Sequence, residues 1–198
     1  IDMGAGDDSI GLYVTNSSGT PSYASLNMTK LDGGAGTDTL DFGSMGSQGS
    51  IELTLTHGGA TNFENIDGSG GADIIRGDNS TNILRGSGGT DIIYGGSGND
   101  TLSGSSSLVS ANLMDHDTND NLYGQAGDDI LIGTIGDNTL DGGTGADTIT
   151  TGSGSDKIIL RVGDGGAELS DADIITDFTD GSDDFGLTTG LSFGDLTR

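Results

Sequence analysis

Between residues 115 and 159 an apolar residue recurs at every ninth position. The five residues of this series are Leu122, Leu131, Leu140, Ile149 and Ile158. Alternation with period two around them, as in Thr148-Ile149-Thr150, predicts a three-residue strand with one side chain facing inward. The six residues before each strand are rich in glycine, which adopts positive φ without steric cost, and they predict a turn. The pattern predicts a coil of short strands and turns around a thin ladder of Leu and Ile.

The polar positions of this nine-residue repeat keep the same period. Counted with the apolar residue in eighth place, the sixth place holds Asp120, Asp129, Asn138, Asp147 and Asp156. The fourth place holds Gly127, Gly136, Gly145 and Gly154, with Thr118 as the exception. A second run upstream has sixth-place Asp73, Asn82, Asp91 and Asp100 before eighth-place Ile75, Leu84, Ile93 and Leu102. The repeat therefore extends over residues 68–159.

The carboxylates of the sixth place predict that the repeat binds a cation. If two repeats make one circuit, residues 18 positions apart stack at about 4.8 Å, the spacing of neighbouring strands. This places Asp73 above Asp91, and Asp129 above Asp147. Two bare carboxylates about 5 Å apart repel by roughly 3 kcal/mol at an effective dielectric constant of about 20. The stack therefore calls for a cation between its rungs, and hard oxygen ligands select calcium over zinc or copper.

Three repeats carry a complete motif that points to a known family. The segment Gly33-Gly34-Ala35-Gly36-Thr37-Asp38-Thr39-Leu40-Asp41, together with 95–103 and 142–150, follows the pattern GGxGxDxUx. This pattern resembles the calcium-binding nonapeptide of the RTX (repeats-in-toxin) family. The resemblance implies an all-β fold, a right-handed parallel β-roll with several calcium ions in the glycine-rich turns. Family members include proteases, lipases, epimerases, haemolysins, adhesins and surface-layer proteins, which share type I secretion and no single activity.

The resemblance also implies a set of metal ligands. Sixth-place side chains are expected to bind together with carbonyl oxygens of the second and fourth places. The alternative is that each Asp only caps its turn by accepting backbone N–H groups, which would leave the stacked charges uncompensated. The expected ligands are Asp8, Gly34, Gly36, Asp38, Asp73, Asn82, Asp91, Gly96, Gly98, Asp100, Asp120, Gly127, Asp129, Gly136, Asn138, Gly143, Gly145, Asp147, Gly152, Gly154, Asp156 and Asp173.

Composition narrows the choice of partners. The chain of 198 residues has 31 acidic and 6 basic residues, a net charge of −25. Nucleic acid is excluded as a partner because phosphate binding needs a basic surface, and no apolar run of about 18 residues predicts membrane insertion. Cysteine is absent, so metal rather than disulfides is expected to hold the fold. High charge with low hydrophobicity predicts disorder in the calcium-free state.

Three regions are expected along the chain. Residues 1–67 should form irregular N-terminal coils that cap the roll, with a strand over 50–57 that turns Ile51, Leu53 and Leu55 inward. Residues 68–159 should form the calcium-binding roll. Within it, 104–114 is an excursion or, alternatively, part of a degenerate coil with two extra residues. Residues 160–198 should cap the other end, either as a closing strand and turn or as an apolar plug of Phe178, Phe185, Leu187, Leu191 and Phe193.

The sequence predicts no enzyme active site. It has no HExxH zinc motif, no GxSxG nucleophile elbow and no phosphate-binding loop. We therefore expect a calcium-dependent structural and folding module of a secreted bacterial protein, extracellular or on the cell surface, with an adhesin or surface-layer protein as the parent. The alternative is the non-catalytic C-terminal module of a secreted protease, lipase or alginate epimerase. A cell-surface carbohydrate or protein ligand, if the parent has one, is not identified by these residues.

Overall fold

A computed structural model describes residues 2–11, 31–55, 60–106, 119–164 and 172–188, and the side chains of 46–48, 60 and 61 are outside this description. In chain order its strands are β1 (Ser9–Gly11), β2 (Leu31–Asp32), β3 (Thr39–Asp41), β4 (Glu52–Thr54), β5 (Ala60–Thr61), β6 (Asn65–Asp67), β7 (Ile74–Arg76), β8 (Ile83–Arg85), β9 (Ile92–Ser97), β10 (Thr101–Ser103), β11 (Asn121–Ala126), β12 (Ile130–Ile132), β13 (Thr139–Thr144), β14 (Thr148–Thr150), β15 (Lys157–Leu160), β16 (Ile174–Ile175) and β17 (Asp184–Leu187). A 3₁₀ helix spans Gly43–Gln48.

The strands form two main parallel sheets. One has eight strands in the order β1-β3-β6-β8-β10-β12-β14-β16, and the other has seven in the order β4-β7-β9-β11-β13-β15-β17. From β6 onward the chain crosses from one sheet to the other after every strand, so each sheet receives every second repeat. The architecture is therefore the parallel β-roll that the nine-residue period predicts. Strands β2 and β5 form a separate two-stranded parallel sheet.

The eighth-place residues form the core. Within each sheet these residues are paired in register between adjacent strands, as Ile75 with Ile93 and Leu122 with Leu140. The resulting rows of Leu and Ile from the two sheets form one continuous core. The fully buried members are Leu40, Ile66, Ile75, Leu84, Ile93, Leu102, Leu122, Leu131, Leu140, Ile149 and Ile158. Because each repeat contributes one apolar side chain, the core is one residue wide in each sheet.

The register changes once inside the roll. The sixth-place residues Asp73 and Asp91, which are 18 positions apart, occupy adjacent coils, whereas Asp91 and the next residue in the same stack, Asp120, are 29 apart. The pairing of Leu102 with Leu131 shows the same longer step in the other sheet. The expected excursion covers 104–114, of which 107–114 lie outside the described residues, and its conformation stays a prediction.

The two ends of the described roll continue the same sheets. At the N-terminal side β4 is shorter than the predicted strand of 50–57: it covers Glu52–Thr54, with Leu55 buried next to it, and 56–57 are outside the description. At the C-terminal side Phe185 pairs with Ile158 as a further rung. The rings of Phe178 and Phe185 stack with centroids 4.6 Å apart, whereas Leu191 and Phe193 of the expected plug lie outside the described residues.

No helix in the described part of the chain is long and apolar enough to cross a membrane.

The second place of several repeats has a left-handed backbone. Gly96, Gly143 and Gly152 have φ of 117°, 103° and 95° there, but Gln125 and Thr134 occupy the same place with φ of 83° and 77°. A left-handed conformation costs a residue with a Cβ about 1–2 kcal/mol. Glycine avoids this cost, although its greater freedom in the unfolded chain offsets about 0.5–1 kcal/mol.

We expect Thr134→Gly to stabilise the roll by about 0.5–1 kcal/mol, because it removes left-handed strain at a β-branched residue. Urea unfolding in millimolar calcium measures the change. Thr148→Gly is the matched control, since Thr148 lies in the extended strand β14, where glycine only weakens the strand. The expectation fails if both substitutions destabilise the protein equally.

Candidate metal centre in the turns

The sixth-place side chains form two stacks, one along each edge of the roll. The long stack, which precedes the strands of the eight-stranded sheet, contains Asp8, Asp38, Glu64, Asn82, Asp100, Asp129, Asp147 and Asp173. The short stack, which precedes the strands of the seven-stranded sheet from β7 onward, contains Asp73, Asp91, Asp120, Asn138, Asp156 and Asp183. The structure therefore brings every predicted sixth-place residue onto one of these two stacks.

A repeated hydrogen bond joins most neighbours within each stack. The backbone N–H of one sixth-place residue donates to the Oδ1 of the next, for example Asp100 to Asp129 at 2.7 Å and Asp129 to Asp147 at 2.8 Å. The same bond joins Asn138 to Asp156 at 2.8 Å. Capping of backbone N–H groups, which was the alternative to metal binding, thus accounts for one oxygen of these carboxylates. It does not account for the second.

The second carboxylate oxygen is buried without a hydrogen-bond donor in several turns. The Oδ2 atoms in this state belong to Asp38, Asp100, Asp129, Asp147 and Asp156, whose residues are 1% exposed or less. A buried charge without a partner is strongly unfavourable. The arrangement therefore leaves a defined place for a positively charged ligand at these oxygens.

Basic side chains of the described residues do not pair with the open carboxylates of the long stack. Arg76 pairs with Glu52, Arg85 with Asp67 and Arg161 with Asp141. None of these three carboxylates is Asp100, Asp129 or Asp147. A cation would supply the positive charge that these three carboxylates do not receive from the described basic residues.

Burial changes the acidity of the stacked carboxyls. Desolvation raises the pKa of Asp100 and of Asp147 to about 7, and the pKa of Asp129 to about 6. Neighbouring carboxylates contribute to this rise, as Asp129 does for Asp100, while the hydrogen bond from the preceding backbone N–H opposes it. Without a cation, the folded state therefore favours protonated carboxyls below about pH 7 at Asp100 and Asp147 and below about pH 6 at Asp129.

The predicted glycine ligands lie in the turns between these side chains. All of them have positive φ, namely Gly34, Gly36, Gly96, Gly98, Gly127, Gly136, Gly143, Gly145, Gly152 and Gly154. The turns of adjacent coils are in backbone contact, since a Cβ added to Gly145 would lie 2.0 Å from the carbonyl oxygen of Gly127. At Gly145 glycine is therefore required both for its φ of 136° and for this close approach.

The donor set fits a hard cation. Among the described residues no three His, Asp or Glu side chains converge on one point. A cation on a stack would consequently need backbone carbonyl oxygens as well as carboxylates. Calcium accepts six to eight oxygen ligands of both kinds in flexible geometry, whereas zinc prefers nitrogen and sulfur.

The sequence prediction missed two members of the stacks. Glu64 accepts the N–H of Asp38 through Oε2 at 2.8 Å, and Asp183 accepts that of Asp156 through Oδ1 at 3.1 Å. Both precede an apolar residue by two positions, Ile66 and Phe185, and this spacing is the signal that could have identified them. Asp183 keeps a fourth-place glycine, Gly181, with φ of 85°. Neither segment has the complete GGxGxD pattern, so the full nine-residue motif does not reveal Glu64 or Asp183.

The comparison with family models supports the same repeat. The model for the RTX calcium-binding nonapeptide repeat, which contains four copies, matches residues 30–44, 59–93, 67–102, 113–140 and 132–166. Together these matches span more than half of the chain. The search of curated proteins gave no match.

The raised pKa values of Asp100 and Asp147 predict how pH affects the metal-free fold. Between about pH 4 and pH 7 the folded chain binds more protons than the unfolded chain, whose carboxyls titrate near 4. Its free energy of unfolding should therefore fall as pH rises through about 7 and increase on acidification. Circular dichroism in calcium-free buffers from pH 8 to pH 5 should show strand signal appearing towards pH 5.

Calcium should reverse this dependence, because it binds the ionised carboxylates and competes with protons. In excess calcium the free energy of unfolding should increase from pH 5 to pH 8. Equal slopes with and without calcium would mean that the buried carboxyls are not where the ion binds.

Proposed function

Because this chain belongs to the RTX calcium-binding nonapeptide repeat family, we propose that it is a calcium-dependent structural and folding module of a secreted protein. The observation that supports this function is the row of buried Oδ2 atoms without donors at Asp100, Asp129 and Asp147. A folded roll that lacks calcium must either protonate these groups or bury their charge. Calcium supplies the missing charge, so binding free energy becomes folding free energy.

The carboxylates, glycines and apolar residues of the repeat have different roles. At Asp129 and Asp147 the carboxylate holds the neighbouring coil in register with Oδ1 and offers Oδ2 to the ion. The glycines let successive turns approach closely enough for carbonyl oxygens to join. The ladder of Leu and Ile excludes water from the interior. It is too narrow to balance the repulsion of the carboxylates by itself.

Coupling of folding to calcium binding is compatible with secretion of an unfolded chain. Extracellular calcium modules have affinities of about 10⁻⁴–10⁻³ M, so the chain would stay unfolded in the low calcium of the cytosol and fold outside the cell. RTX repeats occur in type I-secreted proteins, which supports an extracellular location. The absence of recognised catalytic motifs supports a non-catalytic role. We favour an adhesin or surface-layer protein as the parent, and a catalytic motif in the flanking sequence would favour a secreted enzyme instead.

The proposal predicts that folding requires calcium and that magnesium replaces it poorly, because magnesium prefers a small octahedral shell and retains its waters. Far-UV circular dichroism at pH 7.5 should show an unfolded chain in chelator and a strand spectrum in millimolar calcium. Equimolar magnesium and matched ionic strength are the controls. A strand spectrum that is already complete in chelator would contradict the proposal.

A further inference from the structure

Asn138 closes its turn with a bond that its acidic neighbours cannot make. Its Oδ1 accepts the N–H of Asp120 at 2.9 Å, as a carboxylate in that place would. Its Nδ2 donates to the carbonyl oxygen of Gly136 at 3.0 Å. Asn138 is 1% exposed, so both polar atoms of this buried side chain have a protein partner. The turn has neither an unpartnered oxygen nor a net charge on its sixth-place residue.

The acidic turns on either side of this coil along the chain differ in that respect. Asp129 and Asp147 use Oδ1 in the same way, but their Oδ2 atoms have no donor. A carboxylate cannot donate to the carbonyl oxygen two residues earlier, as the amide of Asn138 does. The amide N–H of Asn138 thus places a partial positive charge next to a turn carbonyl, in the place where an acidic turn would hold an ion.

A second turn is closed by other groups. Ser69 stands at the second place of its repeat, where Gly96 and Gly143 have left-handed backbones, but Ser69 itself does not. Its N–H donates to Oδ2 of Asp73 at 2.7 Å, and its Oγ donates to Oδ1 of the same residue at 2.8 Å. Oδ1 also accepts the N–H of Ile51 at 2.8 Å. Both oxygens of Asp73 therefore have donors from the protein.

Resting on the proposed function, we propose that the roll has two kinds of turn. Open turns, represented by Asp100, Asp129 and Asp147 on the long stack, take calcium. Closed turns, formed by Asn138 with Gly136 and by Ser69 with Asp73 on the short stack, use a protein donor in place of the ion. Asn138 and Ser69 are then the residues that decide which turns bind. The calcium sites form an unbroken row on the long stack at Asp100, Asp129 and Asp147. On the short stack one closed turn lies at the end, at Asp73, and the other lies within the stack, at Asn138.

The distribution of sites can be changed by exchanging amide and carboxylate. Asn138→Asp removes the donor to Gly136 and adds a charge next to Asp156, so it should open this turn. We expect one more calcium ion per chain and a higher melting temperature in saturating calcium, with no gain of order in chelator. Asp129→Asn is the reciprocal change and should remove one ion. Metal analysis after equilibrium dialysis counts the ions, and calorimetry measures the melting temperature.

Asn119→Asp is the matched control, since it adds the same charge at an exposed fifth-place residue of a nearby turn. Its Oδ1 accepts the N–H of Asp137 at 2.8 Å, and aspartate can keep this bond. This variant should bind no additional ion.

The outcomes separate this inference from the function on which it rests. A wild-type chain that binds no calcium would contradict the proposed function. If the wild type binds calcium and Asp129→Asn loses an ion, but Asn138→Asp gains none, the function stands and the closed-turn inference is wrong. An equal gain by Asn119→Asp and Asn138→Asp would also overturn the inference, because added charge alone would then explain the binding.

Discussion

The constraint on which the structure depends is a carboxylate with one oxygen satisfied and the other buried without a donor. The satisfied oxygen accepts a backbone N–H from the neighbouring coil and fixes the rise of the roll, as between Asp129 and Asp147. The second oxygen is enclosed by the same stacking. The stacking that holds the coils in register therefore also buries a carboxylate oxygen without a donor. In this fold the stabilising hydrogen bond and the unfavourable burial come from the same side chain.

The narrow core explains why that cost matters. Each repeat buries one Leu or Ile, worth about 1.5–3 kcal/mol. Burying a carboxylate without a partner costs several kilocalories per mole even after the protein relaxes. The apolar ladder alone cannot absorb such a cost at every turn, and the described arginines pair with carboxylates outside the sixth place. Under the proposed function, a chain with a net charge of −25 depends on an external cation to fold, and calcium is the signal for folding.

The sequence predicts the regular part of this structure well, because the apolar core residues and the acidic turn residues both recur every nine positions. The inward ladder from Ile75 to Ile158 and the stacked sixth-place residues follow from spacing alone. The irregular ends are harder to predict, because Glu64 and Asp183 join the stacks in segments that lack the complete GGxGxD pattern. Position alone also cannot show the difference between Asn138 and Asp147. That difference depends on a hydrogen bond of the amide to a turn carbonyl, which becomes visible only in the folded turn.

We propose that calcium compensates the unpartnered oxygens of the long stack. Anomalous difference density from crystals grown in calcium would locate the ions. We expect peaks at about 2.3–2.6 Å from the Oδ2 atoms of Asp100, Asp129 and Asp147, the usual range for calcium–oxygen contacts. A folded roll without such peaks, in which these oxygens are bonded to water or protonated and paired with each other, would contradict it.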